Sequence, residues 1–328
     1  MEKAIILMVL ITLAATAAGI AVRRLMRGRS RAARNVLLVL IAVVGFTGIN
    51  FVGGYIMAPA CFLKDLPDES AHRYVEENST AEKISIDGKY GRLEGWLLRA
   101  AGEATDGESQ NGAVPGESDG IDGAGAGEKS LLIYFGGNKE CSALRMRLLA
   151  EYEGYDGVFG GYDFACVDYY GYCESGGTAG VKTFKQYGLE VYDYLTASQG
   201  YDRVYIMGYS IGTGVANYVA SRRECDGLML LAPYSNGSDL YNTVCNIFHG
   251  PLKLLVGFNM DSDKYAQSID VKPLILAASE DTVIPWECAE TLSGNYPEGA
   301  EFILLDDIGH SDIWFYDAAM EHIEEYLH

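Results

Sequence analysis

The stretch Val204-Tyr205-Ile206-Met207-Gly208-Tyr209-Ser210-Ile211-Gly212-Thr213-Gly214-Val215 decides how this chain is read. Val204 to Met207 is a short apolar run of the kind that builds a strand buried on both faces. A helical pattern, Gly212 to Arg223, begins directly after it. Between them stands Gly208-Tyr209-Ser210-Ile211-Gly212, a G-x-S-x-G spacing in the strand–turn–helix setting that this motif needs. The glycines let the chain turn sharply and hold Ser210 strained with its hydroxyl outward. The plainer alternative is a tight turn with an incidental serine.

Outward from this point the same apolar run recurs at Leu131 to Phe135, Phe164 to Val167, Leu228 to Leu231, Leu274 to Ala277 and Phe302 to Leu305. Helical patterns lie between the runs. Val181 to Ala197 puts Val181, Phe184, Gly188, Val191 and Leu195 on one face. Trp286 to Asn295 and Asp312 to Leu327 follow. Strands alternating with helices predict a mostly parallel α/β sheet with helices on both faces. Upstream, Lys83 to Ile86 and Arg92 to Arg99 alternate like strands around Asp87-Gly88, which reads as an antiparallel hairpin. Asp68 to Glu77 reads as a short helix.

A serine on such an elbow works with an acid and then a histidine, in that chain order. Asp281 follows the run Leu274 to Ala277, and His310 follows Phe302 to Leu305. Both therefore stand past carboxyl ends of parallel strands, where open α/β sheets place their sites. Of the five histidines, only His310 has this setting. Glu280, Asp306 and Asp307 rival Asp281 for the acid; Asp281 leads by its place before Val283 and Pro285. An oxyanion hole should draw one N–H from Ile211, after the serine, and another from the loop Gly136-Gly137-Asn138-Lys139-Glu140. Asn138 is the first choice there and Gly137 the alternative. Tyr209, Tyr169, Tyr170 and Tyr172 are candidates to line or shape the substrate pocket, with packing at the sheet edge the other reading of the last three.

These stretches, with Asp168-Tyr169-Tyr170-Gly171-Tyr172-Cys173-Glu174-Ser175-Gly176-Gly177 and Ala232-Pro233-Tyr234, resemble the α/β-hydrolase superfamily across residues 80–328. More narrowly they resemble its BEM46-like, ABHD13/ABHD17-like serine hydrolases, which include bacterial membrane-anchored members. Gly136 stands where relatives often carry histidine, and Ser279 where they carry glycine. The resemblance implies an α/β-hydrolase fold with a small cap, here residues 236–270, and acyl transfer to water through Ser210, His310 and Asp281. Such chemistry needs no cofactor and no metal. The expected function is cleavage of a carboxylic ester or thioester. A serine peptidase acting on short peptides is the alternative, and a non-catalytic module on the same scaffold is a further one.

The 328 residues carry 25 Lys and Arg against 45 Asp and Glu, a net charge of −20. That balance argues against nucleic acid as a partner, because binding phosphates needs a basic face. A 49% hydrophobic content excludes wholesale disorder. The charge is unevenly spread. Residues 1–60 hold seven basic residues and one acid, a net +6, which leaves −26 for the remainder. Ala4 to Val22 and Asn35 to Met57 are uncharged apolar runs, each long enough to span a hydrocarbon core of about 30 Å. Six arginines separate them. We read a membrane anchor over residues 1–60, two transmembrane helices at about 4–22 and 35–57, with the basic loop cytoplasmic. The domain at 61–328 would then be extracytoplasmic, on a multi-pass protein of the cell membrane that acts on an acylated small molecule, lipid or peptide. A cleavable signal peptide with Ala15-Thr16-Ala17 as its site is the competing reading of the first run. Cys61 is a faint lipidation pattern. Residues 101–128 hold eight Gly, seven acids and no Lys or Arg, the composition of a disordered acidic insertion. The seven cysteines include no C-x-x-C pair, which reads as thiols rather than a disulfide framework.

Overall fold

The computed structural model describes residues 2–60, 68–100, 128–244, 253, 256 and 260–328. Most of the acidic insertion, much of the expected cap at 236–270, and Cys61 lie outside the described residues. In chain order the strands are β1 (Glu82–Gly88), β2 (Gly91–Leu98), β3 (Ser130–Phe135), β4 (Tyr162–Val167), β5 (Arg203–Tyr209), β6 (Gly227–Leu231), β7 (Leu274–Ala278) and β8 (Glu301–Leu305). The helices are α1 (Glu2–Leu25), α2 (Arg31–Ala60), α3 (Glu69–Asn78), α4 (Ser142–Glu151), α5 (Tyr155–Val158), α6 (Val181–Gln199), α7 (Gly212–Ala220), α8 (Gly237–Val244), α9 (Ser262–Ala266), α10 (Trp286–Ser293) and α11 (Asp317–Leu327).

The eight strands form one sheet in the order β1-β2-β4-β3-β5-β6-β7-β8. The β1–β2 and β2–β4 pairs are antiparallel, and every other pair is parallel. Side chains alternate across a strand, and β5 shows the consequence. Val204 and Ile206 pack into one layer with Phe184, Val191, Val215 and Val219 of α6 and α7. Tyr205 and Met207 pack into the opposite layer with Met146 of α4 and Met320 and Ile323 of α11. Both faces are covered, so the central strands read as continuous apolar runs.

Two local readings change. The hairpin turns at Lys89-Tyr90 rather than at Asp87-Gly88, because Gly88 is already paired with Gly91 as the last rung of the ladder. The final helix does not start at Asp312. His310–Ile313 is a 3₁₀ turn, and the chain breaks at Phe315, whose φ of 64° no helix accommodates, before α11 begins.

Both N-terminal apolar runs are helical. A Cβ on Gly45 of α2 would stand 2.9 Å from the Ala15 Cβ of α1, so small residues bring the two helices together. Large apolar side chains point away from the pair: Val39, Val43 and Val44 of α2 and Leu10 and Leu13 of α1 are each more than half exposed. Among the described residues one stretch, Arg31–Gly48, is long and apolar enough to cross a membrane.

Candidate active site

The elbow is built by close approach. Ser210 follows β5 and has φ 53°, a left-handed conformation that costs a non-glycine residue about 1–3 kcal/mol. The surroundings hold it there. Ser210 N–H donates to the Leu231 carbonyl at 2.9 Å, and Thr213 returns its N–H and hydroxyl to the Ser210 carbonyl at 3.1 and 2.6 Å. A Cβ on Gly212 would fall 2.1 Å from the Phe135 carbonyl oxygen, and one on Gly208 would fall 2.7 Å from the Thr213 Cα. Glycine is therefore required at both positions by space.

The structure brings Ser210, His310 and Asp281 together. Ser210 Oγ lies 2.9 Å from His310 Nε2, and His310 Nδ1 lies 2.6 Å from Asp281 Oδ2. The other Asp281 oxygen accepts the backbone N–H groups of Val283 and Ile284, both at 2.7 Å. Those two bonds fix the carboxylate plane and separate Asp281 from Glu280, Asp306 and Asp307. With the carboxylate accepting at Nδ1, the imidazole carries its proton there and Nε2 faces the serine hydroxyl as an acceptor. The Asp281 side chain is 1% exposed and that of His310 11%, so the carboxylate is dry while the imidazole reaches solvent.

Tyr209 stands between two parts of the site. Its hydroxyl donates to the His310 carbonyl at 3.1 Å, and its ring lies 5.3 Å from the imidazole. A Cβ on Gly137 would touch the same ring at 2.9 Å. Burial pushes the phenol up to about 12, so it stays a donor.

Ile211 sits at the start of α7, directly after the serine. The loop after β3 is held by groups that the sequence reading did not single out. Gly137 N–H donates to Glu140 Oε2 at 2.8 Å, so this amide is engaged within the loop. Glu140 also accepts from the Tyr134 hydroxyl at 3.0 Å and pairs with Arg145 Nε at 2.5 Å. The Arg145 guanidinium lies 4.0 Å over the Trp314 ring, four positions after His310. A buried charge pair thus links the loop after β3 to the histidine turn. The only sequence signal for it is a pair of opposite charges five residues apart on a segment without an apolar stripe.

Tyr169 and Tyr170 do not line a pocket. Tyr169 is 2% exposed and stacks on Phe184 at 4.1 Å. Its hydroxyl donates to the Gly136 carbonyl at 2.7 Å, so it supports the loop from the core. Tyr170 is fully buried and donates to Glu190 of α6. Tyr172 is fully buried as well, and its hydroxyl donates to Asn138 Oδ1 at 2.7 Å. Position after a strand pointed these rings toward the site mouth; burial of their large apolar faces turned them inward.

No protein-family profile matches the chain. Over 150 residues it is 31% identical to the lysophosphatidylserine lipase ABHD12 of Macaca fascicularis and, equally, to that of Mus musculus. The match takes in 40% of this chain and 37% of each of those proteins, so it spans well under half of the relatives' length. Among solved structures, the Pyrococcus furiosus esterase Pf2001 superposes with a TM-score of 0.58 at 14% identity, covering 81% of this chain and 96% of that one. Est1E from Butyrivibrio proteoclasticus gives 0.55 at 14%, covering 74% and 97%. An alpha-beta hydrolase from Vibrio vulnificus gives 0.54 at 18%, covering 86% and 88%. The chain has the α/β-hydrolase fold.

Proposed function

We propose that the protein is a membrane-anchored serine hydrolase that cleaves acyl esters through an acyl-enzyme intermediate. The observation that carries this reading is the continuous chain of hydrogen bonds from Ser210 Oγ through the His310 ring to Asp281. Ser210 attacks the ester carbonyl as His310 Nε2 takes its proton. Asp281 keeps the imidazole in the required tautomer and stabilises its charged form. His310 then protonates the leaving alcohol, and a water activated by the same base releases the acyl group. The Ile211 N–H is one oxyanion donor. Asn138 N–H is the second, since the Gly137 amide already serves Glu140. Each such donor contributes about 2.7–4 kcal/mol to lowering the barrier.

Within the α/β-hydrolases we assign the chain to the BEM46-like branch, on the loop 136–140, the stretch 168–177 and the serine elbow. The apolar, solvent-facing flanks of α1 and α2 support a two-helix membrane hairpin. The arginine-rich connection between them favours a cytoplasmic loop and an extracytoplasmic catalytic domain. An enzyme tethered there meets amphiphilic esters, and the lipase names of the relatives point the same way.

The test is labelling of the full chain in membranes by a fluorophosphonate probe. Labelling is expected in the wild type and in Ser238→Ala and is expected to vanish in Ser210→Ala. Labelling that persists in Ser210→Ala overturns the assignment. A panel of esters with varied acyl length then defines the substrate.

A further inference from the structure

Four side chains from three segments converge away from the triad. Cys141 precedes α4, Asp168 and Cys173 stand in the loop after β4, and His72 belongs to α3. A ligand atom of Cys141, one of Asp168 and one of Cys173 all lie within 4.8 Å of one another. His72 Nε2 lies 3.8 Å from Cys141 Sγ. Cys141, Asp168 and His72 are all buried.

We propose that His72, Cys141, Asp168 and Cys173 form a closed site for a divalent transition-metal ion, zinc by preference. The donor set carries the choice of ion. Two thiolates and an imidazole favour zinc-type ions over magnesium or calcium, which take oxygen ligands. The spacing suits it as well. Bond lengths of about 2.3 Å to sulfur and about 2.0 Å to nitrogen or oxygen put tetrahedral ligand atoms roughly 3.3–3.8 Å apart. The observed His72–Cys141 separation falls at the upper edge of that range, Cys141, Asp168 and Cys173 lie within 4.8 Å of one another, and closing the site requires the His72 ring, which stands outside that group of three, to move toward Asp168 and Cys173.

The surroundings are those of a ligating histidine. Glu174 Oε2 stands 3.7 Å from His72 Nδ1, and Lys83 holds the same carboxylate at 2.8 Å. A carboxylate behind the far ring nitrogen orients a metal-bound imidazole. Asp168 is anchored through Oδ1, which accepts the Ser142 N–H at 2.7 Å, while Oδ2 accepts the Glu174 N–H at the longer distance of 3.4 Å. Cys173 adopts φ 42°, an uncommon conformation for a residue with a side chain.

All four tetrahedral positions come from the protein, so the ion is structural rather than catalytic. It ties α3 to the start of α4, one residue beyond Glu140, and to the loop carrying Tyr172. The proposal is independent of the hydrolase chemistry. Its rival is a Cys141–Cys173 disulfide.

The full chain, purified in detergent with thiols reduced and no chelator, is loaded with Zn(II) or Co(II). About one metal per chain is expected. With Co(II), thiolate-to-metal charge-transfer absorption in the near ultraviolet and tetrahedral ligand-field bands should appear. Cys141→Ser and Cys173→Ser should lose the bands, and Cys225→Ser should keep them. If the serine variants do not fold, the wild-type stoichiometry and cobalt spectrum decide on their own. The proposal is overturned by a reduced wild type that takes up neither ion, or by uptake that is unchanged in both serine variants.

Discussion

Arg145→Met removes the cation that neutralises Glu140 in the loop after β3. The Arg145 side chain is 6% exposed and that of Glu140 11%, with 2.5 Å between them. Taking one partner from a buried pair leaves an uncompensated charge and costs about 3–5 kcal/mol. At about 2–4 °C per kcal/mol for a large domain, the unfolding midpoint should fall by roughly 6–20 °C. A second effect acts on chemistry. Glu140 accepts from Gly137 N–H, so its bare charge stands next to the amide proposed to bind the oxyanion. At an effective dielectric of about 20, repulsion on the order of 1–2 kcal/mol should lower kcat about 5–30-fold with little change in KM. Adding Glu140→Gln removes that charge, and the double variant should regain stability by a coupling of about 0.5–3 kcal/mol. Thermal unfolding in detergent and turnover of a p-nitrophenyl ester measure the two effects. A midpoint within about 2 °C of wild type for Arg145→Met, or strict additivity in the double variant, would refute the role given to the pair.

Two further outcomes follow from the elbow and the triad. Asp281→Asn keeps the shape but favours the wrong imidazole tautomer, so kcat should drop by about 10⁴-fold while the far-ultraviolet spectrum is unchanged; a loss under about 10-fold would return the acid role to Glu280, Asp306 or Asp307. Gly212→Ala would place a methyl 2.1 Å from the Phe135 carbonyl, so it should lower the unfolding midpoint and abolish probe labelling; a stable, fully labelled variant would show that the elbow has slack.

The sheet was legible because each central strand is covered on both faces and so leaves an unbroken apolar run, as at Leu131 to Phe135. The elbow was legible because two glycines and a serine are forced by space as well as by chemistry. What escaped the sequence had other causes. The α4 segment, Ser142-Ala143-Leu144-Arg145-Met146-Arg147, buries an arginine among its apolar neighbours, so its hydrophobic period is broken at the position that matters most. Tyr169 and Tyr170 follow a strand, as pocket residues do, but proximity along the chain says nothing about the direction of a ring. His72 lies 69 positions before Cys141, and no local spacing links them.

The Glu140–Arg145 pair is a poor choice for stability alone. Arg145 Nη1 is buried with no hydrogen-bond partner among the described residues, which adds to the cost of burying the cation. Replacing a buried pair with apolar residues of similar volume is often neutral or stabilising by about 1–4 kcal/mol. Glu140→Leu combined with Arg145→Met should therefore unfold at or above the wild-type midpoint. The same double change removes the acceptor for Gly137 N–H and the charge held over Trp314, and with them the tie between the loop and the histidine turn. A stable protein with kcat reduced at least about 10-fold and KM little changed is the expected result, because the lost contacts fix the position of the proposed transition-state donors. If full activity survives in that variant, the loop is held by Tyr169 and Tyr172 alone, and the charge pair is a packing solution without a part in the chemistry.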